Sequence, residues 1–188
     1  MENQILALIA SFIAMSFAVC SYFVKKKEMF LLFQSLCIIF LITSYFFTVQ
    51  FFAMVGLFIG LVRVMIYYIY EKRGKLAPLY ISFLLVLATL ISYYVVNYKI
   101  LNDSDPFDIL CLLALTAYAF VFRIRDLKLV RFLALIPTTL SLLFTLLTDA
   151  ALFATLSYAF ELCANGVSII KYHVIGDRKL KNNIEKAN

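Results

Sequence analysis

Glu161, Asn165 and Ser168 lie inside one apolar stretch at spacings of four and then three residues. A helix would carry all three on a single face. A carboxyl, an amide and a hydroxyl on one stripe can bind and release a small polar solute, and a carboxyl buried without a cation can also carry a proton. The same groups could instead brace one helix against another, because amides and hydroxyls hydrogen-bond across apolar interfaces. Gln34 and Tyr118 are weaker candidates for lining such a path. Arg63 is a second charge within an apolar stretch, where it costs about 2.5–3.5 kcal/mol at mid-helix. Counted from the ends of the stretches, Arg63 is level with Glu161; an internal correspondence with Lys171 puts it more than two turns away, nearer the cytoplasmic end. Either the two pair, or Arg63 snorkels to the surface.

Nothing else in the chain assembles into a catalytic set. The single histidine, His173, stands beside Lys171, and there is no His-Glu-x-x-His, Ser–His–acid or phosphate-loop pattern. Cys20, Cys37, Cys111 and Cys163 each sit alone in an apolar run, where cysteine behaves as a small hydrophobe. Neither an enzyme nor a metal or cofactor is expected.

The elements that must position these residues are membrane helices. The chain has 188 residues and is 64% hydrophobic, with mean hydropathy +0.96; a soluble domain is roughly 45–50% apolar. Seven runs, at about 4–24, 29–49, 51–70, 78–98, 106–122, 128–147 and 150–172, consume nearly all of it. About 20 apolar residues cross a hydrocarbon core. The first run is preceded by Glu2 and followed by Lys25, Lys26 and Lys27, the reverse of a cleavable signal.

Fifteen of the 17 Lys and Arg residues fall in four clusters, at 25–27, 72–75, 123–131 and from 171 onward. Placing all four in the cytoplasm obeys the positive-inside rule and puts the N-terminus outside and the C-terminus inside. Lys99, offset by Asp103 and Asp105, and Arg63 are the exceptions. Basic loops of this kind account for the net charge of +6 without a nucleic-acid partner.

The loop lengths repeat, which predicts two parallel three-helix bundles joined by a linker helix. Residues 1–75 form the first bundle, 76–100 the linker, 106–172 the second bundle, and 173–188 a basic cytoplasmic tail. Two echoes accompany the repeat, Gly60-Leu-Val-Arg63 with Ser168-Ile-Ile-Lys171, and Tyr22 with Tyr118. Gly56 and Gly60 on the third run, and Ala10, Ala14 and Ala18 on the first, form small-residue faces for close packing, within the chain or against a second copy. Pro137 is a candidate hinge, since an internal proline frees a carbonyl and kinks a helix. Tyr45, Tyr67, Tyr68, Tyr70, Tyr93, Tyr94 and Tyr98 fall toward helix ends and fit interfacial belts.

Glu161, Asn165-Gly166 and Ile169-Ile170-Lys171, with Val62-Arg63 and Gln34, resemble the YgjV-type family of bacterial inner-membrane proteins. Gly60 and Ser168 stand where that pattern has asparagine, and Lys171 where it has arginine. The plan of three, one and three helices is similar to the SWEET and PnuC transporters, whose substrates sit between the triplets. SWEET-like sites use asparagine on the third and seventh helices, and Asn165 is the counterpart on the seventh. The resemblance implies a multi-pass protein of the bacterial inner membrane, with the lipid bilayer as partner. It further implies a small transporter moving a sugar, nucleoside or vitamin without ATP. The alternative is a structural or assembly protein of the same membrane.

Overall fold

The computed structural model describes residues 2–48, 51–96, 106–148 and 152–175. These form seven α-helices: α1 Glu2–Phe23, α2 Lys27–Thr48, α3 Phe51–Lys72, α4 Leu79–Tyr94, α5 Asp108–Val121, α6 Leu127–Leu147 and α7 Leu152–Ile169. A π-helical turn, Ile170–Ile175, continues α7. Residues 176–188, most of the expected tail, and Tyr98, Lys99, Asp103 and Asp105 lie outside the described residues.

Local chemistry sets the boundaries. Gly74 adopts φ 65° and its N–H donates to the Glu71 carbonyl while Lys75 N–H reaches Tyr70, a left-handed stop that glycine adopts without strain. Asp126 caps α6 by accepting from Lys128 N–H at 2.8 Å, so α6 begins at Leu127 within the expected basic loop. α1, α2, α3 and α6 contain spans long and apolar enough to cross a membrane, whereas α4, with 16 residues, and α5, with 14, are shorter than expected.

The outer surface is apolar. On α4 the buried residues are Ser82, Leu85 and Thr89, while Phe83, Leu84, Leu87 and Ile91 are exposed. Polar groups face the protein and large apolar ones face out, as they must where the surroundings are hydrocarbon.

The helices close into a ring. α2 packs on α1 and α3, α6 packs on α5 and α7, α1 meets α7, and α4 lies against α3 and α5. Burial recurs along the chain. Lys27, Phe30, Leu31, Gln34 and Ile38 of α2 match Leu127, Val130, Arg131, Ala134 and Thr138 of α6, one hundred residues on. Gly60, Val64 and Tyr67 of α3 match Glu161, Asn165 and Ser168 of α7 at an offset of 101. This register replaces the sequence echoes: it sets Tyr22 against Phe122 and Arg63 against Ala164. The echoes were wrong by about one and two helical turns, shifts that keep a residue on the same face and so leave the apolar pattern unchanged.

Candidate functional site

Between the helices lies a cavity of ≈ 60 Å³, room for a few waters. Its polar lining comes from Gln34 and Tyr45 on α2, Arg63 on α3, Tyr118 on α5, Ser141 on α6, and Tyr158 and Glu161 on α7; Cys37 and Cys111 also face it. Three of the sequence candidates, Glu161, Gln34 and Tyr118, meet there with Arg63.

Glu161 is 5% exposed and accepts a hydrogen bond from the Tyr22 hydroxyl at 2.7 Å. This bond ties α7 to its neighbour α1 at the closure of the ring. Gln34 Nε2 donates to Ser21 Oγ at 3.0 Å, which places the amide between α1 and the cavity. Tyr118 Oη and Thr138 Oγ1 are 2.9 Å apart, linking α5 to α6.

Arg63 does not snorkel, being 3% exposed. Nor does it pair with Glu161: the ion pair found among the described residues joins Lys27 to Glu71 at 2.9 Å. Arg63 Nη1 instead donates to the Leu115 carbonyl of α5, and the guanidinium lies 5.4 Å from the Tyr118 ring centroid and 5.8 Å from that of Phe122. Cation–π contacts contribute about 0.5–2 kcal/mol each, and a hydrogen bond between membrane helices about 0.6–1.7 kcal/mol. Together these offset the insertion cost without a carboxylate. Arg63 Nε finds no protein acceptor.

The α3 face explains this placement. Gly56, Gly60, Arg63 and Tyr67 share one helical stripe directed at α5. A Cβ on Gly56 would meet Leu115 Cδ1 at 2.9 Å, so glycine permits the approach. Arg63 and Tyr67, four residues apart, donate to the Leu115 and Ala119 carbonyls, also four apart. Tyr67 Oη also lies 2.9 Å from Ser82 Oγ of α4. Tyr67 and Tyr45, expected in an interfacial belt, are both buried within the protein, Tyr67 with its hydroxyl bonded between α4 and α5 and Tyr45 at the cavity wall.

Asn165 and Ser168 lie one and two turns beyond Glu161, outside the cavity lining. Both are fully buried. Asn165 Nδ2 donates to the Arg131 carbonyl at 2.8 Å, and Ser168 Oγ donates to the Asn165 carbonyl at 2.8 Å. α6 runs through Pro137 without a break. Ala10, Ala14 and Ala18 are buried on α1, the helix that packs most extensively on α2.

At the end of the cavity toward the basic turns, four buried rings pack edge to face and tilted, and two of them, Tyr118 and Phe122, form part of its wall. Tyr22 and Phe30 are 5.5 Å apart, Phe30 and Phe122 5.7 Å, and Tyr118 and Phe122 5.1 Å. Sequence reasoning missed this cluster and the role of Tyr22, because the rings come from three helices. A buried tyrosine one turn before a basic loop was the available signal.

Residues 5–175 match the model of Imp-YgjV, described as a bacterial inner membrane protein. No curated protein and no solved structure matches. A match over nearly the whole chain, on a bundle with an apolar exterior and a buried polar centre, makes this protein a member of the Imp-YgjV family of bacterial inner membrane proteins.

Proposed function

We propose that the protein is a small transporter of 3+1+3 plan that moves a small polar solute by alternating access, without ATP. The observation that carries the reading is the central cavity, in which Glu161 and Arg63 share one chamber without pairing. A solute presenting a donor to Glu161 and an acceptor to Arg63 Nε would satisfy both. The recurring burial register supports two parallel triplets, with α4 as linker, and substrate sites between repeats are a transporter plan. The ring cluster of Tyr22, Phe30, Tyr118 and Phe122 would close the chamber toward the basic end. At ≈ 60 Å³ the chamber must widen to take a sugar-sized solute, which motion between the triplets would supply.

Uptake of radiolabelled sugars, nucleosides and vitamins into proteoliposomes tests the reading. We expect one class to accumulate and Glu161→Gln to reduce its uptake at least tenfold. Absence of uptake for every class counts against transport. In the proposed orientation the basic turns face the cytoplasm, so reporter fusions should place residue 1 outside and residue 188 inside.

The second reading, a non-transporting partner or assembly protein, draws on Asn165, which is bonded to backbone and sits in closely packed surroundings. A protein that transports nothing yet co-purifies with a defined membrane complex would favour it.

A further inference from the structure

At the basic end of the bundle a second crevice of ≈ 470 Å³ opens between the α1–α2 turn, the α5–α6 turn and the end of α7. It is lined by Lys25, Lys27, Glu71, Arg125, Asp126, Lys128, Arg131 and Tyr172. Lys27 and Glu71 are joined at 2.9 Å and cancel. Lys25, Arg125 and Arg131 also line it, with Arg125 Nη2 donating to the Gly74 carbonyl at 2.9 Å, and the Asp126 carboxylate caps α6. Cationic side chains outnumber carboxylates in this lining, so the crevice carries a positive field.

Arg131 is the buried cation of this crevice, and one of its N–H groups is unmatched. It is 2% exposed, and the matching position on α2 is Leu31, so the fold tolerates a purely apolar side chain there. Its Nη2 donates to the Val24 carbonyl and its guanidinium stacks 4.2 Å from the Tyr172 ring centroid. Its Nε has no protein acceptor, although leaving a buried donor unmet costs about 1–3 kcal/mol, more on a charged group. The orphaned N–H belongs to a side chain that lines the crevice. Lys25 and Arg125 hold matching places in the two basic turns, so a ligand between them would be gripped from both halves of the chain.

We propose that this crevice is a binding site for a phosphate group, with Arg131 at its base and Lys25 and Arg125 at its mouth. A tetrahedral oxyanion presents several acceptors to several donors, and guanidinium groups suit phosphate because their N–H bonds are fixed in a fork. The group has two chemical sources: a free phosphate or phosphorylated solute, and the headgroup of an anionic lipid, which basic pockets between membrane helices recognise.

The test uses the full-length protein in two arms. In the first, detergent-solubilised protein is titrated with sodium phosphate, against sodium chloride at equal ionic strength, by isothermal titration calorimetry. In the second, lipid retention is measured by native mass spectrometry after reconstitution in phosphatidylcholine with or without phosphatidylglycerol. Lys25→Gln/Arg125→Gln alters only exposed side chains and is the variant least able to disturb folding, which its circular dichroism will confirm; Arg131→Met is the second variant.

Saturable binding, weakened about tenfold or more by the double variant, is expected in at least one arm. Binding in the phosphate arm assigns a free anion, and retention of phosphatidylglycerol alone assigns a headgroup. The proposal is overturned by no saturable binding in either arm, by an equal response to chloride, or by binding unchanged in Lys25→Gln/Arg125→Gln.

Discussion

The Tyr22–Glu161 hydrogen bond joins the first helix of the ring to the last, and removing it should loosen the closure. Tyr22 is fully buried and Glu161 is 5% exposed, with 2.7 Å between their oxygens. Tyr22→Phe deletes one hydroxyl and preserves the ring contact with Phe30 at 5.5 Å, so the substitution isolates the bond. In water, a hydrogen bond to a charged group contributes about 1.5–3 kcal/mol. Within membranes, coupling energies average about 0.6 kcal/mol and reach about 1.7 kcal/mol, because the unfolded helices also find partners in the bilayer. The membrane ceiling governs here, and we expect a coupling of about 1.5 kcal/mol from the cycle Tyr22→Phe, Glu161→Leu and the double variant. The assay is reversible unfolding in mixed micelles followed by circular dichroism. Independent sites add within about 0.3–0.5 kcal/mol. A Tyr22→Phe cost that is the same in wild type and in Glu161→Leu, within that margin, would refute the bond as a closure element.

Gly56→Ala should change stability by less than about 1 kcal/mol, since the new methyl meets only Leu115 Cδ1 at 2.9 Å, a terminal methyl that can turn into the cavity it lines, and alanine gains helix propensity; a thermal scan showing a loss above about 2 kcal/mol would mean that Leu115 is held in place. Asn165→Asp should be more damaging than Asn165→Ala, because it replaces the donor to the Arg131 carbonyl with an acceptor in a fully buried place; recovered folded yield in detergent reports the order. Cys20 and Cys163 are exposed on apolar helices, whose outer faces a charged, membrane-impermeant reagent does not reach in an intact bilayer. In intact membranes they should react slowly with a charged methanethiosulfonate and become reactive on unfolding in SDS. Glu71→Gln removes the carboxylate from Lys27, whose side chain is only 6% exposed, and should cost about 1–3 kcal/mol by the same unfolding assay, because a buried ammonium loses its charged partner.

Hydropathy and charge alone determined the class of this protein. Runs of apolar residues separated by basic turns admit an all-helical membrane bundle and little else, because backbone groups in hydrocarbon must bond within their own segment. The helical stripe of Gly56, Gly60, Arg63 and Tyr67 was equally legible, since the 3.6-residue period sets it. What faces that stripe was not. Arg63 finds a carbonyl and two aromatic rings in place of Glu161, and Glu161 finds Tyr22, 139 positions away in the chain. Asn165 and Ser168 share the Glu161 stripe yet lie outside its chamber, because a stripe several turns long passes both a gap between helices and a packed seam. The internal register was ambiguous for a related reason: shifts of four or seven residues return a side chain to the same face. Only the packing of neighbouring helices fixes height along the axis, and height decides which polar groups meet.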